Sequence, residues 1–213
     1  MKKEELMKRY FLAGLLLAAA TTAHAETVTA RVVADDYYRV FVGDANGASL
    51  TEVGSSGSTT WQGQGAAFAF DVSAGQYIFV AAWDSASYGP PHAWIGEFDI
   101  SGTKLYSNTT DWVGKVDGSI KDPSASDAEA LATSATTWSP LMVSMPNGSS
   151  PYGSLIGGSP ASFVWTDVFG GSSTSEGGYA LFRTADAVVT PLPGALPLLL
   201  SGIGLVVLRA RRR

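Results

Sequence analysis

Apolar and polar residues alternate along much of the middle of the chain. Val28, Ala30 and Val32 alternate with Thr and Arg, the period of two expected where one face of a strand is buried. Clusters of turn-forming residues such as GDANG, GSSGS and SASYGPP separate further runs rich in β-branched and aromatic residues. Many short strands joined by such turns predict an all-β domain, an antiparallel sandwich or a barrel. The predicted strands lie in YYRVFV, AAFAFDV, QYIFVAAW, HAWIGEFDI, ASFVW and GYALFR.

One short helix is predicted over about 127–134. Ser126 and Glu129 have the spacing of a capping box, in which each side chain bonds to the backbone N–H of the other residue. A short loop is the alternative for this segment. From Pro146 to Pro160 the chain is rich in Gly, Ser and Pro, which predicts a long surface loop.

The first 25 residues have the pattern of a secretory signal peptide. An apolar stretch at 10–20 follows a basic start, and Ala23 and Ala25 flank His24 as small residues do at a cleavage site. We therefore expect cleavage after Ala25 and export across the inner membrane. The alternative is an N-terminal membrane anchor that is never cut. The basic residues of the start are Lys2, Lys3, Lys8 and Arg9.

The C-terminal end predicts a membrane-spanning helix. Residues 191–208 carry no charge and number 18, about the shortest length that crosses a bilayer as a helix. Pro191, Leu192 and Pro193 open this stretch, and basic residues close it. A cytoplasmic cluster of arginines would leave the body of the chain outside. The cluster is Arg209, Arg211, Arg212 and Arg213.

This tail resembles the sorting signal of PEP-CTERM proteins over 190–213. In that family a Pro-containing motif precedes one hydrophobic helix and a terminal Arg cluster. The resemblance implies recognition by an exosortase, a membrane-embedded cysteine transpeptidase that removes the tail. Leu192 stands where the name-giving motif has an acidic residue, so the tail is similar to the Pro-Leu-Pro variant, and which sorting enzyme reads it stays open. An ordinary single-pass anchor is the alternative, and the Arg cluster argues against a lipid-replaced tail.

These boundaries divide the chain into a signal peptide at 1–25, a β-sandwich domain at 26–189 and a sorting signal at 190–213. The middle segment has six Lys and Arg against 17 Asp and Glu, a net charge of −11. Such a surface repels nucleic acid, whose binding needs clustered cations. The chain contains no Cys, so the exported domain must be stable without disulfides.

Parts of the middle segment resemble galactose-binding-like jelly-roll modules. The residues that carry this resemblance are DDYYRVFVGD, DVSAGQYIFVAAWD, AWIGEFDISG, TTDWVGK and the pair ASFVWTDVFGG and GYALFRT. The resemblance implies a jelly-roll sandwich and the binding of sugars. A fold alone does not determine function.

Little in the sequence points to catalysis. His92 is the only histidine of the middle segment and no G-x-S-x-G motif occurs, so no hydrolase triad is indicated. With one His and no Cys, a zinc site is not expected. We assign no catalytic residue, metal ligand or cofactor. Structural calcium is left open, although Asp35 and Asp36, as neighbours in a strand, would point to opposite faces.

The aromatic residues divide into a predicted core and a candidate ligand rim. Trp83, Trp94 and Trp165 lie in apolar strand-like runs and are predicted to be buried. Residues in or beside turns are predicted to be exposed, and a loop stiffened by two prolines could present them to a ligand. A rigid turn without a ligand is the alternative. The candidate rim residues are Tyr88, His92 and Trp112.

The sequence as a whole predicts an exported, non-enzymatic protein of the cell surface, outer envelope or extracellular matrix. The second hypothesis is a carbohydrate-binding module that contacts exopolysaccharide or another glycan. The third is a secreted hydrolase. Exposed aromatic and acidic residues at one end of the sandwich would favour the second hypothesis, and two facing carboxylates in a deep cleft would favour the third.

Overall fold

The computed structural model describes residues 25–58, 60–84, 92–117, 119–166 and 178–188. These residues belong to one compact unit, Ala25–Val189. Residues 1–24 of the predicted signal peptide, the Pro191–Pro193 motif, the terminal Arg cluster and Tyr88 lie outside the described residues. In the described part, no helix is long and apolar enough to cross a membrane.

The described residues form twelve strands, one α-helix and a short 3₁₀ turn at Trp61–Gly63. The helix, α1, spans Ala125–Thr133. The strands are β1 (Ala25–Ala34), β2 (Tyr37–Gly43), β3 (Thr51–Ser55), β4 (Phe68–Ser73), β5 (Tyr77–Trp83), β6 (Trp94–Ile100), β7 (Thr103–Tyr106), β8 (Trp112–Asp117), β9 (Ser139–Pro140), β10 (Met142–Pro146), β11 (Ser162–Trp165) and β12 (Tyr179–Thr184).

The strands form two antiparallel sheets, which confirms the predicted all-β class. In the first sheet the order is β10-β11-β6-β1-β4, and β7 also pairs with β6. In the second sheet the order is β3-β2-β5-β12-β8-β9. Leu141 is 4% exposed and lies between β9 of the second sheet and β10 of the first, so the chain changes sheets at this buried residue.

Alternate residues of both sheets build one apolar core. Val28, Ala30 and Val32 of β1 are fully buried in it, as the alternation predicts. The buried positions of β2, β5 and β12 meet them from the second sheet. Trp83, Trp94 and Trp165 are buried, as predicted.

Helix α1 covers the outer face of the second sheet. Its buried residues Ala128, Leu131 and Ala132 pack with Phe79 and Leu181 of the sheet in a second apolar cluster. This helix is the one that the sequence predicts, although it begins two residues earlier.

The predicted capping box of α1 was wrong in its residues. Ser124 caps the helix: its hydroxyl accepts from the backbone N–H of Asp127, whose carboxylate accepts from the backbone N–H of Ser124. Ser126 therefore lies inside the first turn. Because the cap is Ser124, Asp127 and not Glu129 stands at the third helical position. Glu129 accepts instead from the backbone N–H of Leu50 at 2.6 Å.

The segment 147–161 covers part of the outer face of the first sheet. It contains no helix or strand, as predicted for a loop. The prediction of a surface loop was wrong for Tyr152 and Ile156, which are 4% and 1% exposed. They pack on Val33, Ile95 and Phe163 in a third apolar cluster, because this face of the sheet carries apolar residues that need cover.

Candidate functional site

Polar residues gather at the end of the unit where β1 passes into β2, β5 ends and β6 begins. Asp35 and Asp36 form the bend between β1 and β2. The backbone N–H of Asp35 donates to the carbonyl of Ala93 at 3.0 Å, and that of Asp36 donates to the carbonyl of Trp83 at 3.1 Å. These two bonds place the bend beside Asp84, which follows β5, and His92, which precedes β6. We call Asp35, Asp36, Asp84, His92 and Tyr152 the acidic end.

The bend is fixed further by Gln64. Its side-chain oxygen accepts from the backbone N–H of Ala34 at 2.8 Å, and its amide nitrogen donates to the carbonyl of Asp36. The expectation that Asp35 and Asp36 lie in a strand and point to opposite faces was therefore wrong, because both residues lie in the connection between two strands.

Tyr152 brings the 147–161 segment to the acidic end. Its hydroxyl donates to the Asp35 carboxylate. Its ring stacks on Phe163 with centroids 4.8 Å apart and meets the edge of Trp61 at 5.2 Å. Apolar packing thus fixes the ring, and the ring positions the hydroxyl over the carboxylate.

Burial changes the titration of both groups. It raises the pKa of Asp35 to about 6, the Tyr152 hydrogen bond opposes that rise, and the charge and hydrogen bonding of Asp36 add to it. Burial also raises the pKa of the Tyr152 phenol, helped by the hydrogen bond and the charge of Asp35 and by the charges of Asp84 and Asp36. The phenol therefore remains a donor at neutral pH.

His92 is not an exposed rim residue, so that prediction was wrong. It is 4% exposed, and its Nδ1 lies 3.5 Å from Oδ2 of Asp84, whose side chain is 7% exposed. The imidazole lies against Trp165 with ring centroids 5.8 Å apart. His92 is buried because its ring packs on the core residue Trp165, while the next residue, Ala93, is hydrogen-bonded to the bend at Asp35.

The predicted exposure of Trp112 was wrong as well. Trp112 is fully buried, and its ring meets Trp94 at 4.9 Å and Phe98 at 5.4 Å. Its Nε1–H donates to the carbonyl of Tyr106 at 3.0 Å. The turn before β8 suggested exposure, but Trp112 is the first residue of that strand and has the inward phase.

Two half-buried aromatic residues that were not predicted as rim residues flank the acidic end. Tyr37 directly follows Asp36 and stacks on Trp83 with centroids 5.5 Å apart. Trp61 lies against Tyr152 in the 3₁₀ turn. Their positions in a turn and at a strand end could have indicated them, but the sequence does not show that Tyr37 packs on Trp83 or that Trp61 packs on Tyr152.

A shallow groove of about 230 Å³ lies at the other end of β6. Ile100, Leu105 and Val188 line it together with Lys104 and Asp186. β6 separates it from the acidic end by about 20 Å, since a strand rises roughly 3.3 Å per residue. Neither His92 nor Trp112, the two predicted rim residues that the structure describes, lines this groove.

No group of three or more His, Asp or Glu side chains among the described residues is arranged to hold a metal ion. Calcium therefore stays a prediction from composition. Comparisons with protein-family models, with curated proteins and with solved structures find no match to this chain.

Proposed function

We propose that this chain is an exported, non-enzymatic protein of the cell surface or extracellular matrix, sorted through its C-terminal signal by an exosortase-type transpeptidase. The observation that carries the proposal is the placement of two targeting patterns around a folded unit. The signal-like start ends at Ala25, and the Pro-Leu-Pro tail begins at Pro191. The described β-sheet unit occupies the residues between them.

The predicted cleavage after Ala25 is compatible with the first sheet. β1 begins at Ala25, and its pairing with β4 continues from Glu26 opposite Val72 to Ala30 opposite Phe68. Cleavage would therefore cost the sheet one pair of residues at its end. The pairing of β1 with β6 starts at Val28 and would remain complete.

The test is the intact mass of the protein exported by a host that carries an exosortase. We expect a mass that lacks residues 1–25 and all residues beyond a cut near 191–193. A variant with Arg209, Arg211, Arg212 and Arg213 all changed to Gln should keep its tail, because the positive charges that hold its orientation are gone. Recovery of the full-length chain dissolved in the cytosol would contradict the proposal.

Glycan binding is the second candidate, and the acidic end favours it. Tyr37 and Trp61 are half-buried. Tyr37 directly follows Asp36, and Trp61 packs on Tyr152, which bonds to Asp35. Sugars pack on aromatic rings, and carboxylates accept hydrogen bonds from their hydroxyls. The jelly-roll resemblance points the same way. The test is retention of the purified chain on a glycan array. Loss of retention in Trp61→Ala would support this candidate if Met142→Ala, a control at an exposed apolar position, keeps it. Equal retention of both variants would exclude the acidic end as the binding site.

A further inference from the structure

The first and last described residues lie at the same end of the unit. Ala25, where β1 begins, is paired with Ser73 at the end of β4. After the turn between β4 and β5, the carbonyl of Gln76 accepts from the backbone N–H of Val188 at 2.7 Å. The chain therefore enters and leaves the unit at neighbouring points. We call the part of the unit around Ala25, the turn between β4 and β5, and Val188 the exit end.

The chain is fixed at the point where it leaves the exit end. Val188 is 5% exposed and belongs to the core between the sheets. Three residues earlier, the backbone N–H of Ala185 donates to the carbonyl of Asp111 at 2.7 Å. Pro191 follows Val188 by three residues, and three residues extend over at most about 11 Å. A segment that starts at Pro191 must therefore start close to the exit end.

We propose that the exit end faces the membrane and that the acidic end points away from it. This inference rests on the proposed function, because it takes residues 191–208 as the membrane-spanning segment. A helix that enters the bilayer near Pro191 keeps the exit end within about 11 Å of the lipid surface. A unit turned over would need a linker of about 20 Å, the length of strands such as β2 that run between the two ends.

The charges of the exit end indicate that the tether, and not attraction to lipid, keeps it at the membrane. Among the described residues at this end, carboxylates outnumber cations, and such a surface is repelled by anionic lipid. The exit end should therefore leave the membrane once the tail is removed. The carboxylates include Glu26, Asp71, Asp99 and Asp186, and Lys104 is the cation beside them.

Fluorescent labels at the two ends measure this orientation. The chain contains no Cys, so a single introduced Cys takes the label. Ala74→Cys places the label in the exposed turn of the exit end. Gly57→Cys places it near the acidic end, because the backbone N–H of Ser56 donates to the carbonyl of Tyr38, and a Cβ at Gly57 meets no atom within 4 Å.

The protein exported by a host without an exosortase keeps its tail and is reconstituted in phosphatidylcholine vesicles. A spin label on the headgroups of both leaflets quenches fluorophores that lie close to the lipid surface. We expect the label in Ala74→Cys to lose most of its emission and the label in Gly57→Cys to keep it.

A longer linker provides the matched control. A flexible Gly-Ser insert of about twelve residues after Val189 spans roughly 20 Å, so it should restore most of the emission in Ala74→Cys while the chain stays on the vesicles. The orientation is overturned by equal quenching of both labels, by stronger quenching in Gly57→Cys, or by quenching in Ala74→Cys that the insert does not reduce. Failure of the tail-bearing chain to float with the vesicles would instead contradict the membrane-spanning tail, and the proposed function would fall with the orientation.

Discussion

Lys115 is a buried cation that joins helix α1 to the second sheet. It lies in β8 and is 4% exposed. Its ammonium donates to the backbone carbonyls of Leu131 at 3.2 Å, Ala132 at 2.7 Å and Ser134 at 3.1 Å. Carbonyls at the end of a helix lack partners within the helix, so this one side chain satisfies the C-terminal end of α1.

Lys115→Met keeps the length and the apolar stem of the side chain and removes these three hydrogen bonds. Leu131 retains donors from Ser134, whereas no other described donor reaches the carbonyls of Ala132 and Ser134. Each such loss costs about 1–3 kcal/mol, and the lost attraction between the cation and the helix end adds about 0.5 kcal/mol.

Part of this cost is recovered because the ammonium is no longer buried. Desolvation lowers the pKa of Lys115, and the neighbouring charge of Arg183 lowers it further. Both effects disfavour the charged form of the side chain. After this offset we expect a loss of about 2–3 kcal/mol in the free energy of unfolding. For a domain of this size that corresponds to a fall in Tm of roughly 5–10 °C.

Urea unfolding followed by circular dichroism measures this loss. Lys104→Met is the matched control, because Lys104 is 42% exposed and pairs with Glu97 on the surface, where such pairs contribute little to stability. If Lys115→Met is as stable as the wild type, or more stable, the burial of the cation costs more than its hydrogen bonds contribute and the reasoning is refuted.

Two further predictions use the same unfolding assay. Ser124→Ala should cost about 1 kcal/mol, because it removes the N-cap of α1, and Ser126→Ala should cost less than about 0.5 kcal/mol; the reverse order would place the cap at Ser126. Gly47→Ala should cost about 2–4 kcal/mol, since φ is +72° and the new Cβ would lie 2.3 Å from Cβ of Ala132. Gly102→Ala, with φ +91° and open space around it, should cost only about 1 kcal/mol; equal costs would show that no clash occurs at Gly47.

The strands that the sequence predicts include those with the most buried residues. β1, β5 and β12 have long apolar phases, and the structure places them in the middle of their sheets. β3 and β10 were not predicted. Both are edge strands with mostly exposed or half-buried residues, so pairing with a neighbour, and not their own composition, determines their conformation.

The acidic end could not be predicted because its parts are far apart in the sequence. Asp35 and Tyr152 meet only after the 147–161 segment folds over the first sheet. The errors at His92 and Trp112 have a related cause. Both lie next to turns, but a strand begins within two residues of each, and the phase of that strand turns the side chain inward.

The two outer faces of the described unit are covered in different ways. Helix α1 packs on the second sheet through apolar residues and through Lys115, which has three acceptors. The 147–161 segment packs on the first sheet through apolar residues and through two side-chain hydrogen bonds, one from Tyr152 to Asp35 and one between Ser159 and Glu97. Lys115 therefore holds the backbone of α1 to the second sheet, whereas side-chain hydrogen bonds hold the covering segment to the first.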